Sequence, residues 1–241
     1  EPGTGNAMAD NITWAILPLK PVAESNTRLS PVLSPRQRRQ LYEVMLTDVL
    51  SALTSVSSIG GVLAVTSCSV AALHLRRAGI ETLADPGFGG LNEAIAHGLA
   101  ELERREIIGV FTIPGDIPAV TSDEISGLIR SIRTYGSATI VPSHDGQGTN
   151  GLAMAPPTLL SPRFGHSSKD AHMALARQKD LYLELMPLAG FGFDIDTPAD
   201  LKRMAGLTSP SQTKYFLDEI GFLKRKIRSP LPVQPGLELS G

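Results

Sequence analysis

Three aspartates carry the chemistry open to this chain. Asp116 follows an apolar run, Ile107 to Ile113, and stands in Pro114-Gly-Asp-Ile-Pro118. Asp194 and Asp196 close a second apolar segment, Gly190-Phe-Gly-Phe-Asp-Ile-Asp-Thr-Pro198. A strand that stops at a carboxylate between prolines places the acid at the lip of a sheet, where open α/β sheets bind ligands, and the prolines restrict the backbone that carries it. Alternation along an extended segment puts Asp194 and Asp196 on one side and turns Ile195 toward the core. An aspartate after a strand is often a plain turn residue, and Asp196 can cap the helix that begins after Thr197. Two apolar segments that end alike, with no capping duty for Asp194, favour chemistry. Carboxylates without His or Cys partners suit a hard cation, magnesium or manganese, and magnesium beside phosphates means phosphoryl or nucleotidyl transfer.

Groups suited to anions surround these acids in the sequence. Lys20 in Leu17-Pro-Leu-Lys20 and Arg28 in Asn26-Thr-Arg-Leu29 follow the first strand; they fit triphosphate charge, and equally fit a solvated loop. No Walker glycine pattern is present. In Asp85-Pro-Gly-Phe-Gly-Gly-Leu-Asn92, glycines let a backbone approach a ligand, and Gly90, Leu91 and Asn92 open a helix whose first turn can take a phosphate or a base edge. Ser143 to Gly151 supplies amides and hydroxyls, including Thr149, for a carboxylate or phosphate, or else is an ordinary hairpin turn. Arg163-Phe-Gly-His-Ser-Ser168 heads another helix that Ser167 and Ser168 can cap while its free amides hold an anion. His166 and His172 lack the paired spacing of metal ligands.

The elements that must position these groups alternate. Strands are expected at 13–17, 61–66, 80–83, 107–113 and 138–142, with an apolar run at 152–155 and a segment over 181–188 that leads to Phe193. Helices are expected from Ser34-Pro35 to about Leu53, at 70–78, 91–105, from Thr121 to Ile132, at 169–178, and from Thr197 to Met204. Strand–helix alternation predicts a mostly parallel sheet between helical layers. Arg36, Arg38 and Arg39 crowd the first turn of one helix, an unfavourable place for cations unless an anion lies near. Residues 1–10 read as a disordered arm or an expression remnant, 11–207 as the α/β domain that carries the phosphoryl or nucleotidyl transfer chemistry, and 208–241 as a linker, an amphipathic helix over 215–227 and a mobile tail from Ser229.

Composition bounds the rest. In 241 residues, 42% are hydrophobic, enough for a core, and a net charge of −2 gives no bulk attraction to nucleic acid or acidic membranes. The single cysteine, Cys68, excludes an internal disulfide framework and a multi-cysteine zinc site, and suits a reducing, cytoplasmic setting. There is neither a signal-peptide pattern nor an apolar run long enough to span a membrane.

Taken in order, Leu17-Pro-Leu-Lys20, Thr27-Arg-Leu29, Met45 to Leu50, Gly90-Leu-Asn92, Ile113 to Pro118, Gly148-Thr-Asn150, Phe164 to Ser168 and Asp194 to Leu201 resemble the guanylyltransferases of coenzyme F420 biosynthesis, the 2-phospho-L-lactate or phosphoenolpyruvate guanylyltransferases. The resemblance implies a three-layer α/β/α nucleotide-diphospho-sugar transferase (GT-A-like) fold with a mostly parallel mixed sheet. It implies transfer of GMP from GTP to phosphoenolpyruvate, 2-phospho-L-lactate or 3-phospho-D-glycerate, with pyrophosphate released and the product handed to the next transferase. Asp116, Asp194 and Asp196 would then hold the metal, and Lys20 and Arg28 would face the GTP phosphates. Gly90, Leu91 and Asn92 would lie near the nucleoside; Thr149, Gly165 and Ser168 would bind the carboxylate end of the acid. A homodimer through the tail is a further expectation. Two positions depart from the pattern: Asn26 stands where many relatives carry a second lysine, and Ser67-Cys68 where an acidic residue is frequent. A same-fold enzyme with a sugar-phosphate or molybdopterin acceptor would usually open with Leu-x-Gly-Gly, unlike Leu17-Pro-Leu-Lys20. A non-catalytic nucleotide-binding module is the other class, which Asn26 keeps open.

Overall fold

The computed structural model of the chain describes residues 13–20, 26–85, 87, 90–132 and 134–224. Residues 1–10, positions 21–25 of the first basic loop, Pro86, Phe88 and Gly89 of the glycine loop, and the tail from 225 lie outside them.

The first strand, β1 (Thr13–Leu19), is apolar on both faces: Ala15, Leu17 and Leu19 enter one core cluster and Ile16 the other. That pattern belongs to a central strand covered on both sides. β2 (Ile59–Thr66) and β4 (Gly109–Thr112) flank β1, both parallel to it, and β3 (Glu81–Ala84) adds in parallel outside β2. Beyond β4 the direction reverses. β6 (Thr149–Ala155) is antiparallel to β4 and to β5 (Ser137–Pro142), and β7 (Leu183–Leu185) runs parallel to β5. The order β3-β2-β1-β4-β6-β5-β7 is the mostly parallel, mixed sheet the sequence implied.

Helices cover both faces. α1 (Pro35–Thr54) and α4 (Ser122–Ser131) bury Val49, Leu53, Ile125 and Leu128 against the face that carries Leu17 and Phe111. α2 (Ser69–Arg77), between β2 and β3, adds Leu75 to this layer. α3 (Leu91–Arg104) and α5 (Ser168–Gln178) bury Ile95, Leu99, Leu102 and Ala176 on the other face. Capping boxes Ser34/Gln37 and Thr121/Glu124 start α1 and α4, each satisfying amides that the first turn leaves open. No described helix is long and apolar enough to cross a membrane.

A third cluster lies beyond the sheet. Leu29, Leu41 and Met45 meet Phe193 and Ile195, together with Leu201 and Met204 of α6 (Pro198–Ala205) and Phe216 and Leu217 of α7 (Gln212–Glu219). Here the structure corrects the expected helix over 215–227. Ser211 caps the Lys214 amide, and Asp48 of α1 accepts from the Gln212 and Thr213 amides, so the helix starts earlier. It stops at Ile220, before Gly221 at φ 63, and only a 3-10 turn, Phe222–Lys224, follows within the described residues. The apolar run at 152–155 is the later part of β6, which begins at Thr149 because register with β5 runs through that residue to Pro142. Within 181–188 the structure forms the short strand Leu183–Leu185.

Candidate active site

The strands β1, β2, β3 and β4 all end on one side of the sheet, and a cleft opens there. One hollow of about 350 Å³ is lined by Lys20, Asn26, Arg28, Tyr42, Asp116 and Asp196 among others. A second, about 520 Å³, is lined by Thr149, Asn150, Gly165, Ser168, Asp194 and Asp196 among others. Arg28, Leu91 and Asp196 belong to both, so the hollows are continuous. Each is large enough for a small-molecule site.

The loops that bring the carboxylates together are pinned by backbone bonds. The Ile113 amide donates to the Ile16 carbonyl at 3.0 Å and Ile117 is fully buried, which fixes Asp116 between them. The Ile195 amide donates to the Asp116 carbonyl at 3.0 Å, docking one acidic segment on the other. Ile195 is buried while Asp194 and Asp196 line the cleft, as alternation predicts. The approach to Asp194 passes Gly190, where an added Cβ would run into the Ala119 carbonyl and the Glu124 carboxylate. Glu124 accepts from the Gly190 amide at 2.7 Å and the Phe191 amide at 3.2 Å.

Asp116 carries the cost of this convergence. Burial, then the charges of Asp196 and Asp194, push its carboxyl from 3.8 to about 7, while Lys20 pulls weakly the other way. Asp196 is also raised, by burial and then Asp194, with Arg28 opposing. Asp196 does not cap α6: Thr197 does, in a capping box with Asp200, which leaves the Asp196 carboxylate to Arg28 Nη1 at 3.0 Å. Asp194 accepts from Asn150 Nδ2 at 3.1 Å and lies 3.4 Å from His144 Nδ1. Among the described residues, no three His, Cys, Asp or Glu side chains form a ready-made metal cage. The three aspartates share a cleft wall without closing on one point. An all-oxygen donor set in which the neighbouring charges help raise Asp116 and Asp196 still fits a hard cation, which would relieve that repulsion.

On the cation side, Lys20 and Arg28 line the hollow next to Asp116. Asn26 has φ 57 and ψ 29, a left-handed conformation that asparagine tolerates better than most residues. Its Nδ2 is buried with no hydrogen-bond partner among the described residues. Tyr42 reaches the Lys20 carbonyl at 3.4 Å, and burial, then Cys68 and Asp116, push its hydroxyl up to about 12. The arginine-rich turn does not serve the cleft: Arg38 donates to the Leu33 carbonyl, and Arg36 and Arg39 are not among its lining residues.

On the other side, the loop Ser143 to Gly148 is the hairpin turn between β5 and β6 and also a wall of the cleft. Ser143 Oγ accepts from the Gly148 amide, and Asp145, held below its ordinary range by the Ser143 hydroxyl and the Gln147 amide, closes the turn. Thr149 and Ser168 lie in the wall with side chains mostly buried. Gly165, at φ 133, adopts a conformation reserved for glycine. Two expectations for α5 fail. Ser167 stands at the cap in a left-handed conformation and its side chain caps nothing, and the first amides are spent, Ser168 N on the Gly165 carbonyl and Lys169 N on the Gln147 carbonyl. Asn92 is likewise committed: Oδ1 accepts from the Phe164 amide at 2.7 Å and Nδ2 donates to the Phe164 carbonyl at 3.0 Å. It clamps the loop opposite, whereas Gly90 and Leu91 line the hollow toward Asp85 and Ser67.

Sequence reasoning missed His144, Asp200 and Glu124 as supports. Asp200 was legible as the fourth residue of Thr197-Pro-Ala-Asp200, and it accepts from the Asp196 and Thr197 amides. His144 lies between Asp194 and Asp200, 3.4 and 3.5 Å away, edge-on to Phe193. It carried no signal, because its partners are distant in sequence.

A family model described as "Guanylyl transferase CofC like" matches residues 13–231. A phosphoenolpyruvate guanylyltransferase of Sphaerobacter thermophilus is 36% identical over 194 residues, which is 80% of this chain and 93% of that protein. One of Conexibacter woesei is 33% identical, over 81% of this chain and 88% of its own length. Among solved structures, one described as a nucleotide-diphospho-sugar transferase of Desulfovibrio desulfuricans superposes with a TM-score of 0.73 at 19% identity, covering 88% of this chain and 96% of that one. A nucleotidyl transferase of Methanothermobacter thermautotrophicus superposes at 0.58 with 14% identity, over 87% and 99%. These structures share the fold. The family match over nearly the whole described chain and the relatives above 30% identity go further: the chain belongs to the CofC-like guanylyl transferase family.

Proposed function

We propose that this guanylyltransferase moves GMP from GTP to phosphoenolpyruvate, releasing pyrophosphate, as a step toward coenzyme F420. The observation that carries the reading is one continuous cleft with a cation-lined half and an amide- and hydroxyl-lined half, meeting at Asp116 and Asp196, in a chain whose relatives carry the name phosphoenolpyruvate guanylyltransferase.

GTP takes the half that holds Lys20, Asn26 and Arg28. Lys20 supplies a point charge for phosphate oxygens, and Arg28, bound by one carboxylate oxygen, keeps further N–H groups for them. The buried Asn26 Nδ2 offers a neutral donor where a lysine is frequent. Gly90 and Leu91 bound the nucleoside side. The acid takes the half with Thr149, Gly165 and Ser168, so its phosphate points toward Asp116. Asp116, Asp194 and Asp196 would hold magnesium or manganese, which when bound neutralises phosphate charge and polarises the α-phosphate. A phosphate oxygen of the acid attacks the α-phosphorus, the bond to the β-phosphate breaks, and the new P–O–P linkage keeps the product activated for a following transferase. The attacking oxygen is already anionic and needs no base, so catalysis lies in positioning and charge neutralisation.

The test is pyrophosphate release from GTP with phosphoenolpyruvate, 2-phospho-L-lactate and 3-phospho-D-glycerate in turn, with the following transferase present to trap product. Phosphoenolpyruvate should give the highest kcat/KM. Turnover with another of the acids, at phosphoenolpyruvate's expense, reassigns the acceptor; release with none removes the reading.

A further inference from the structure

His172 of α5 is wholly buried and yet fully engaged at both ring nitrogens. The Arg163 amide lies 2.9 Å from Nε2. A backbone amide can only donate, so Nε2 must be the bare, accepting nitrogen, and in a neutral ring the proton then sits on Nδ1. Nδ1 lies 3.2 Å from Thr149 Oγ1. The ring stays neutral because burial pushes its pKa down to about 4, with the Ser168 backbone favouring a proton on the ring and Arg163 opposing. An Nδ1 that carries a proton cannot accept one. The Thr149 hydroxyl hydrogen is therefore not used on His172, and Thr149 has no other side-chain partner among the described residues.

We propose that His172 is a positioning residue that forces Thr149 to act as a hydrogen-bond donor into the cleft and holds the Arg163-Phe164-Gly165 backbone that faces it. The same ring meets Phe164 edge-on, centroids 5.1 Å apart, and Asn92 fixes the Phe164 amide and carbonyl from the opposite wall. Three backbone groups of this loop are thus tied by two side chains, one from α3 and one from α5, before any ligand arrives. A hydroxyl whose proton is not spent on the ring favours a group that accepts, above all a carboxylate or phosphate oxygen, and disfavours a donor-only group such as an ammonium at that spot. The proposal rests on the reading of Thr149, Gly165 and Ser168 as the acid's side of the cleft.

Two measurements test it. In wild-type protein with 15N-labelled histidine, the His172 imidazole should show a protonated Nδ1 and a bare Nε2 unchanged from pH 5.5 to 9, with the signal assigned by its loss in His172→Asn. The opposite tautomer, or a titration in the ordinary histidine range, overturns the proposal whether or not the enzyme is active. In kinetics, His172→Phe removes both nitrogens, and Thr149→Val removes the hydroxyl. Each should raise KM for phosphoenolpyruvate about tenfold, as loss of one oriented hydrogen bond predicts, with KM for GTP unmoved. The double variant should be no worse than His172→Phe alone, and His172→Asn, which keeps an N–H near the Nδ1 position, should recover part of the loss. Additive effects, or an unchanged acid KM in a folded His172→Phe, overturn it. If wild-type turns over none of the three acids, the functional reading falls while the imidazole spectrum still decides the tautomer.

Discussion

The backbone amide of Ile195 donates to the backbone carbonyl of Asp116 at 3.0 Å. One bond thus joins the loop after β4 to the acidic segment before α6, and it sets the distances among Asp116, Asp194 and Asp196 without involving their side chains. The carboxylates are held near one another by the main chain and repel one another across the cleft; burial first, and then the charges of Asp196 and Asp194, raise the Asp116 carboxyl.

Asp116→Asn should lower kcat by two to three orders of magnitude, about what loss of a main electrostatic group costs. Its effect on stability has the opposite sign. A carboxyl raised from 3.8 to about 7 contributes stability fully below 3.8 and loses it as pH climbs to 7. In chelator, Asp116→Asn should therefore melt higher than wild-type at pH 8, and the gap should shrink to less than half at pH 5. A gap that is flat across pH, or reversed, contradicts the electrostatic account.

Magnesium or manganese should raise the wild-type melting temperature at pH 8 and leave Asp116→Asn almost unmoved, by the binding linkage that stabilises any liganded native state. Equal shifts in both proteins would place the cation elsewhere.

Arg28→Ala should be nearly neutral for stability, within about 1 kcal/mol, because the pair with Asp196 is open to water, with side chains 74% and 47% exposed. The same change should raise KM for GTP about tenfold or more through lost phosphate contacts. Denaturant unfolding and initial rates read the two effects separately, and a stability loss without a GTP effect would make Arg28 a structural residue.

Asn26→Lys restores a cation to the triphosphate side at a left-handed position. It should cost about 1 kcal/mol of stability, since a lysine suits φ 57 less well, and lower KM for GTP with a steeper salt dependence. An unchanged KM would mean that this position does not face the phosphates.

Glu124→Ala should cost about 1–3 kcal/mol, because the buried amides of Gly190 and Phe191 lose their acceptor. It should also slow turnover, since Asp194 is carried on that segment. Loss of stability with kcat intact would uncouple the Gly190 turn from the carboxylates.

Much was legible because it depends on short-range pattern. The apolar run interrupted by Pro114 marked where β4 leaves the sheet, and Thr197-Pro198 marked the start of α6. Ser34-Pro35 and Thr121 with Glu124 announced helix starts, and the period-two run Asp194-Ile195-Asp196 fixed which side chains face the cleft. These features are set by backbone sterics and alternation among neighbours, so one chain suffices to read them.

What only the tertiary structure decided is where distant groups spend their hydrogen bonds. Asn92 looked available to a ligand at its helix start, but Phe164, far along the chain, takes both ends of its amide. The amides of α5 looked free, but the Gly165 and Gln147 carbonyls occupy the first two. α7 begins where Asp48 of α1 accepts from its first amides, a cap no local pattern contains. His172, plain in the sequence, became a wired ring only when β6 brought Thr149 and the loop before α5 brought Arg163 against it. The sequence alone determined where the apolar runs end and which acids follow them; the fold decided which donors and acceptors remain for a ligand, because a hydrogen bond depends on positions in space that separation along the chain does not encode.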